Sequence, residues 1–181
     1  MTLINIITNA LIETGHTTDA QQMEAWKEKF TVFVNDGMRD IANTLQLRRT
    51  DEIEAINGCF KTADLSDSCV KVVEVSDLSG ASVPFNEGTC STEVYIGRDG
   101  TVQVEYRYIP DEVKNDTDQP NIPEHLHPLL VTYVVYREHM TADPNMQRRA
   151  SAFLQQYEMG KRRAKRNLGE IDTYNIYNVR W

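Results

Sequence analysis

The sequence predicts an α+β protein: a helical bundle, a small antiparallel β-sheet or sandwich inserted in it, and an extended C-terminal tail. Three observations predict this. Apolar residues recur at three- and four-residue intervals through residues 1–47, the period of one helix face. Between about 51 and 109 the pattern shortens to short β-branched and aromatic runs, which suit a pleated sheet. From about 127 to 167 the helical period returns, interrupted at Asp143-Pro144.

The first helix is predicted over 3–14. Thr2 stands where a side chain caps the first turn, and Gly15 where a left-handed residue ends the last. The second is predicted over 19–47, opened by a T-x-x-Q capping box of Thr18 and Gln21. Its stripe is Met23, Trp26, Phe30, Phe33, Val34, Met38, Ile41 and Leu45. Gly37 interrupts that stripe at a cost of about 1 kcal/mol against Ala, so it marks a place for close packing.

Asn57-Gly58 between two strand-like runs reads as a type I′ hairpin turn, because that turn requires two residues of positive φ. A second hairpin is predicted from strands at 93–96 and 101–108 around Gly97-Arg98-Asp99-Gly100. Strands are also expected over 70–75 and 82–85. A Pro/Asp loop at 109–123 leads to a turn at 123–126 and a buried helix at 127–142, with Pro128 near its start. Asp143 as cap and Pro144 as first residue open the last helix, predicted over 144–167.

A chain of 181 residues with 40% hydrophobic and 25% charged residues can bury a sizeable core without covalent staples. It has no apolar run near the ~20 residues of a membrane span, so no membrane partner is expected. The first seven residues have no basic start of a signal peptide. Cys59, Cys69 and Cys90 cannot all pair, which fits a reducing cytoplasm.

Catalytic and cofactor motifs are absent from the sequence: there is no phosphate-binding glycine loop and no G-x-S-x-G turn. His125 and His127 in a helix would point about 200° apart and could not share a metal. Asp116-Thr117-Asp118 lacks the glycine and the distal glutamate of a calcium loop. The scattered aspartates read as turn residues. No enzyme, cofactor or metal site is expected.

The charge is uneven. Residues 145–167 hold Arg148, Arg149, Lys161, Arg162, Arg163, Lys165 and Arg166 against Glu158 alone, a net +6. The whole chain is −8, so the remainder carries −14. Cations near a helix C-terminus complement the helix dipole; they can also orient docking on an acidic protein or meet a phosphate backbone. After Gly169 come Tyr174, Ile176, Tyr177, Val179 and Trp181, spaced as on strand faces and apolar for a terminal segment. The expectation is that 169–181 leaves a domain of residues 1–168 and adds to a partner by strand pairing, unless it folds back on that domain.

Taken together, two N-terminal helices, a β insertion ending in V-x-V-E-Y-x-Y-I-P, and D-T-D-Q-P-N-I-P-E-H-L-H-P-L-L opening a helix that restarts at D-P resemble the head–tail connector (adaptor) proteins of tailed bacteriophages. The layout covers about 1–168, and the detailed match about 102–168. The resemblance implies a structural virion protein at the neck, assembled in the host cytoplasm. It would form a ring of about twelve neighbouring copies, docked on the portal protein and joined to a tail or second connector protein. It would surround the DNA channel, with non-specific DNA contact. The basic residues of 145–167 and the five tail residues are the expected partner-binding set, with the β insertion directed outward or to the tail side. The competing reading is a DNA-binding or packaging accessory protein acting through the basic helix.

Overall fold

A computed structural model describes residues 1–87, 92–141 and 144–177, with the side chains of 144, 145 and 168–177 not described. The fold is α+β, as the sequence predicts, and the chain divides into two compact units. One, residues 1–45 and 112–181, carries the described α-helices; the other, residues 46–111, carries the described strands.

In the helical unit α1 spans Leu3–Thr14 and α2 Ala20–Leu45. Further on, α3 spans His127–Thr141 and α4 Pro144–Tyr177. The caps differ from expectation in an informative way. Thr2 makes no side-chain cap. Instead the backbone N–H groups of Leu3 and Ile4 donate to the carbonyls of Asp118 and Asp116, at 2.8 and 3.1 Å. The Pro/Asp loop therefore supplies acceptors to helix donors that lack intrahelical partners. At α2 the cap is Asp19 rather than Thr18: its carboxylate accepts from the Gln22 N–H at 2.9 Å. Asp19 serves because Met23 N–H already bonds its carbonyl, which makes it the first half-in residue. Gly15, at φ 81°, closes α1 as predicted. α2 ends at Leu45, two residues before the predicted end at 47, with Gln46 at φ 53° directly after it.

The helical core is built from Leu3, Ile6, Ile7 and Leu11 of α1, the Phe30–Ile41 stripe of α2, and Leu130, Val134 and Val135 of α3, all buried. Gly37 is the close approach predicted for it. A Cβ built there would meet the Tyr133 ring at 3.0 Å and Leu130 at 3.2 Å. The loop is pinned by a two-point clamp. Asn35 Nδ2 donates to the Val113 carbonyl at 3.1 Å, and the Val113 N–H donates to Asn35 Oδ1 at 3.0 Å. The Asp118 carboxylate accepts from the N–H groups of Asn115 and Lys114, both at 2.8 Å; these bonds hold its pKa below the ordinary value. Asp116 pairs with Lys27 at 2.8 Å.

Among the described residues the β unit contains six strands: β1 Arg48–Ala55, β2 Cys59–Lys61, β3 Ser68–Asp77, β4 Asn86–Glu87, β5 Glu93–Tyr95 and β6 Gly100–Ile109. They form two antiparallel three-stranded sheets, ordered β1-β6-β3 and β2-β5-β4. The Asn57-Gly58 turn is present, with φ 55° and 72°. However, the ladder stops at the Ile56–Cys59 bridge, because β1 pairs with β6 and β2 with β5. The second predicted hairpin does not form, since β5 and β6 belong to different sheets. Gly58 explains the change of sheet. Its N–H donates to Asp99 Oδ1 at 2.6 Å, and its carbonyl accepts from Ile96 and Gly97. The two turns bind each other, and each strand leaves toward a different partner.

One correction concerns the tail. The backbone is helical through Tyr177, where the sequence reading ends the helix at 167 and expects an extended segment. One Gly costs about 1 kcal/mol in a helix interior, too little for Gly169 to stop it. The Asp143 cap lies outside the described residues, as do Val179 and Trp181.

Candidate interaction surface

α4 packs on the other helices through Ala150, Tyr157, Lys161 and Ala164, all buried. Gly160 sits against Leu129, with a built Cβ only 2.3 Å from Leu129 Cδ2. This face fixes which basic residues reach solvent. Lys161 does not: it is 5% exposed. Its Nζ donates to Asp40 Oδ2 of α2 at 2.7 Å and reaches Glu158 Oε1 at 2.8 Å. Its ammonium also lies 4.5 Å from the Tyr157 ring centroid. Burial alone would lower the Lys161 pKa, but bonding to Asp40 and Glu158 outweighs it and raises the value. The Tyr157 hydroxyl donates to the same Asp40 oxygen at 2.6 Å. Burial first, then that bond, raises its pKa far above the ordinary value.

Lys161 thus leaves the predicted partner-binding set, because Asp40 neutralises it inside the fold. Arg148, Arg149, Arg162, Arg163, Lys165 and Arg166 are all exposed, and none is ion-paired with a described residue. At 100° per residue, Arg148, Met159, Arg162, Arg163 and Arg166 project away from the face holding Tyr157. Tyr174, Ile176 and Tyr177 follow on the same helical backbone.

A stripe of opposite charge lies on α2 and was not evident from the sequence. A groove of about 450 Å³ runs along α2 beside the loop, lined among others by Glu24, Glu28, Val32 and Val113. Its Lys27 is tied to Asp116, and Arg39 nearby pairs with Glu112. Glu24 and Glu28 remain without an ion pair among the described residues. Spacing of four was the available signal, hidden because the acidic excess was averaged over the chain.

The histidines have separate surroundings. His127 is buried and bonded to the Ile122 carbonyl at 3.1 Å, while His125 is exposed. Among the described residues, no three His, Cys, Asp or Glu side chains are placed to hold a metal. Cys59 and Cys69 are free thiols. No described helix is long and apolar enough to cross a membrane.

The helical unit, interrupted in sequence by the β unit, presents a basic outer face on α4 and an acidic stripe on α2. The chain matches the family model described as SU10 adaptor protein over residues 1–175, and it belongs to that family of phage head–tail adaptors. The family is structural and not an enzyme class; its members belong to the virion and associate with other phage head and tail proteins. No curated protein matches the chain.

Proposed function

We propose that the chain is a virion neck protein that joins the capsid portal ring to the tail and surrounds the DNA channel. About twelve copies would form the ring, assembled in the host cytoplasm. The exposed basic side chains of α4, with residues 170–181, would face the portal. The β unit would face outward or toward a tail or second connector protein. The observation carrying this reading is the exposed, uncompensated basic face of α4 in a chain whose family is a head–tail adaptor. Six cations on an otherwise acidic protein favour oriented docking on an acidic partner surface. Channel DNA would make at most non-specific contact with them.

The test is a nuclease-treated pull-down of the tagged chain from its native source, with mass spectrometry of what is retained. A ring-forming portal protein that survives nuclease, and is lost on deletion of 170–181, supports the reading. Retention of partners only through nucleic acid would favour a DNA-binding packaging accessory, whose affinity would fall steeply with salt.

A further inference from the structure

We infer that the two charged stripes of the helical unit are each other's partners between copies of this chain. The outer face of α4 on one copy docks in the acidic α2 groove of the next. This rests on the adaptor reading above and narrows it: Arg163 and Arg166 meet the neighbouring copy, which leaves Arg148, Arg149, Arg162 and Lys165 to the portal.

On α2, Glu24, Glu28 and Val32 stand at intervals of four and so share one face. Val32 is 52% exposed, an apolar residue in a groove whose Glu24 and Glu28 have no ion pair among the described residues, while its third carboxylate, Glu112, is paired with Arg39. On α4, Met159, Arg163 and Arg166 also share a face by spacing. Met159 is 47% exposed and both arginines are exposed. Each stripe therefore reads apolar, charge, charge. They extend about 12 Å and about 10 Å at 1.5 Å per residue. Laid antiparallel, they bring Val32 to Met159, Glu28 to Arg163 and Glu24 to Arg166.

The same chain cannot make this contact. The face of α4 turned to α2 holds Tyr157 and Lys161, bonded to Asp40, so the arginine stripe points away. The surfaces differ, so the contact is heterologous: each copy offers a groove to one neighbour and a helix to another. Such contacts close into rings when the rotation permits. Lys114, also in the groove lining, lies outside the stripe of Glu24, Glu28 and Val32. Arg162 and Lys165, on the other flank of α4, remain free for another partner.

Sedimentation of the full chain over a concentration series tests this, at about 50 mM and about 500 mM salt to vary screening. Wild type should self-associate, less so at high salt. E24K/E28K and R163E/R166E should each weaken association by about tenfold or more. The chain carrying all four reversals should recover it. All four positions reversed across the two double variants are exposed, so unchanged thermal unfolding would show that each variant folds. Association unaffected by either double reversal, no recovery in the fourfold variant, or a wild type monomeric at about millimolar concentration would overturn the inference. The pull-down separates the two readings. E24K/E28K that still retains a portal protein while failing to self-associate supports both. Retention with unaltered self-association removes only this contact, and loss of the portal from wild type removes the adaptor reading itself.

Discussion

The Asp40 carboxylate on α2 and the Tyr157 hydroxyl on α4 meet at 2.6 Å, and Lys161, one turn further along, adds its ammonium to the same oxygen at 2.7 Å. Asp40 is the shared acceptor for two groups that the fold has taken out of water. Removing it leaves a buried ammonium with only Glu158, whereas removing Lys161 leaves Asp40 still bonded and partly solvated. Asp40→Ala should therefore cost about 1–2 kcal/mol, below the fully buried range because that side chain is 41% exposed. Lys161→Met, which keeps the packed stem, should cost less than about 1 kcal/mol. Urea unfolding of both variants checks the ordering. A Lys161→Met loss equal to that of Asp40→Ala would show that the pair, and not the stranded cation, sets the cost.

The same cluster makes the protein sensitive to alkali. Tyr157 and Lys161 both keep their protons more tightly folded than unfolded. Between the unfolded and folded values the native state binds more protons, so stability falls as pH rises above about 10. Tyr106, its pKa raised by burial and by donating to Asp51 at 2.6 Å, acts in the same direction in the β unit. Tyr157→Phe should lose about 1 kcal/mol at pH 8 from the missing bond. The loss should narrow as the pH passes 10, because the variant has no phenol to ionise there. Parallel curves for variant and wild type from pH 8 to 11 would refute this assignment.

Gly37 and Gly160 should respond differently to the same added methyl. At Gly37 the Cβ meets a ring and Leu130. That ring is held by a 2.9 Å bond to Arg137 and by packing on Tyr157 at 5.1 Å. Overpacking costs about 1–3 kcal/mol, against a gain of up to about 1 kcal/mol in helix propensity. Gly37→Ala should therefore destabilise by about 1 kcal/mol. At Gly160 the obstacle is the methyl end of half-buried Leu129, which can rotate, so Gly160→Ala should be close to neutral. Thermal unfolding of the two variants side by side decides it.

How far the sequence carries the fold follows from the range of the interactions. The Phe30, Phe33, Met38 and Ile41 stripe is local, and it places α2 to within two residues. Gly15 and the turn at Asn57-Gly58 are also local and occur where predicted, because positive φ is a property of one or two residues. Strand pairing is not local. Whether Cys59 continues a ladder with β1 depends on Asp99, which takes the N–H of Gly58 from 41 positions further along. The capping of α1 by the Asp116 and Asp118 carbonyls is likewise invisible to a search for capping side chains, since the acceptors are backbone atoms of a distant loop. The basic surface was legible in outline, but its membership was not. Lys161 sits beside Arg162 in sequence and differs from it only because Asp40, 121 residues earlier, lies beneath it.

His127 gives the fold an acid limit as well. It is buried, and desolvation holds its pKa below the ordinary 6.5; its bond to the Ile122 carbonyl and the Glu124 carboxylate act in the opposite direction without overcoming burial. The imidazole is therefore neutral in the folded state at pH values where the unfolded chain has already taken up a proton. With more protons bound by the unfolded state, stability rises with pH through this window. It is complete above about 6.5, the unfolded value, and is lost progressively as pH falls toward the lower folded one. His127→Gln retains an N–H able to reach the Ile122 carbonyl but cannot titrate. The variant should be less stable than wild type at pH 7.5, through lost packing, and the gap should shrink by pH 5.5. Denaturant unfolding at the two pH values measures that gap. A constant gap would mean that His127 protonates equally in both states and that burial of the ring does not set the acid response.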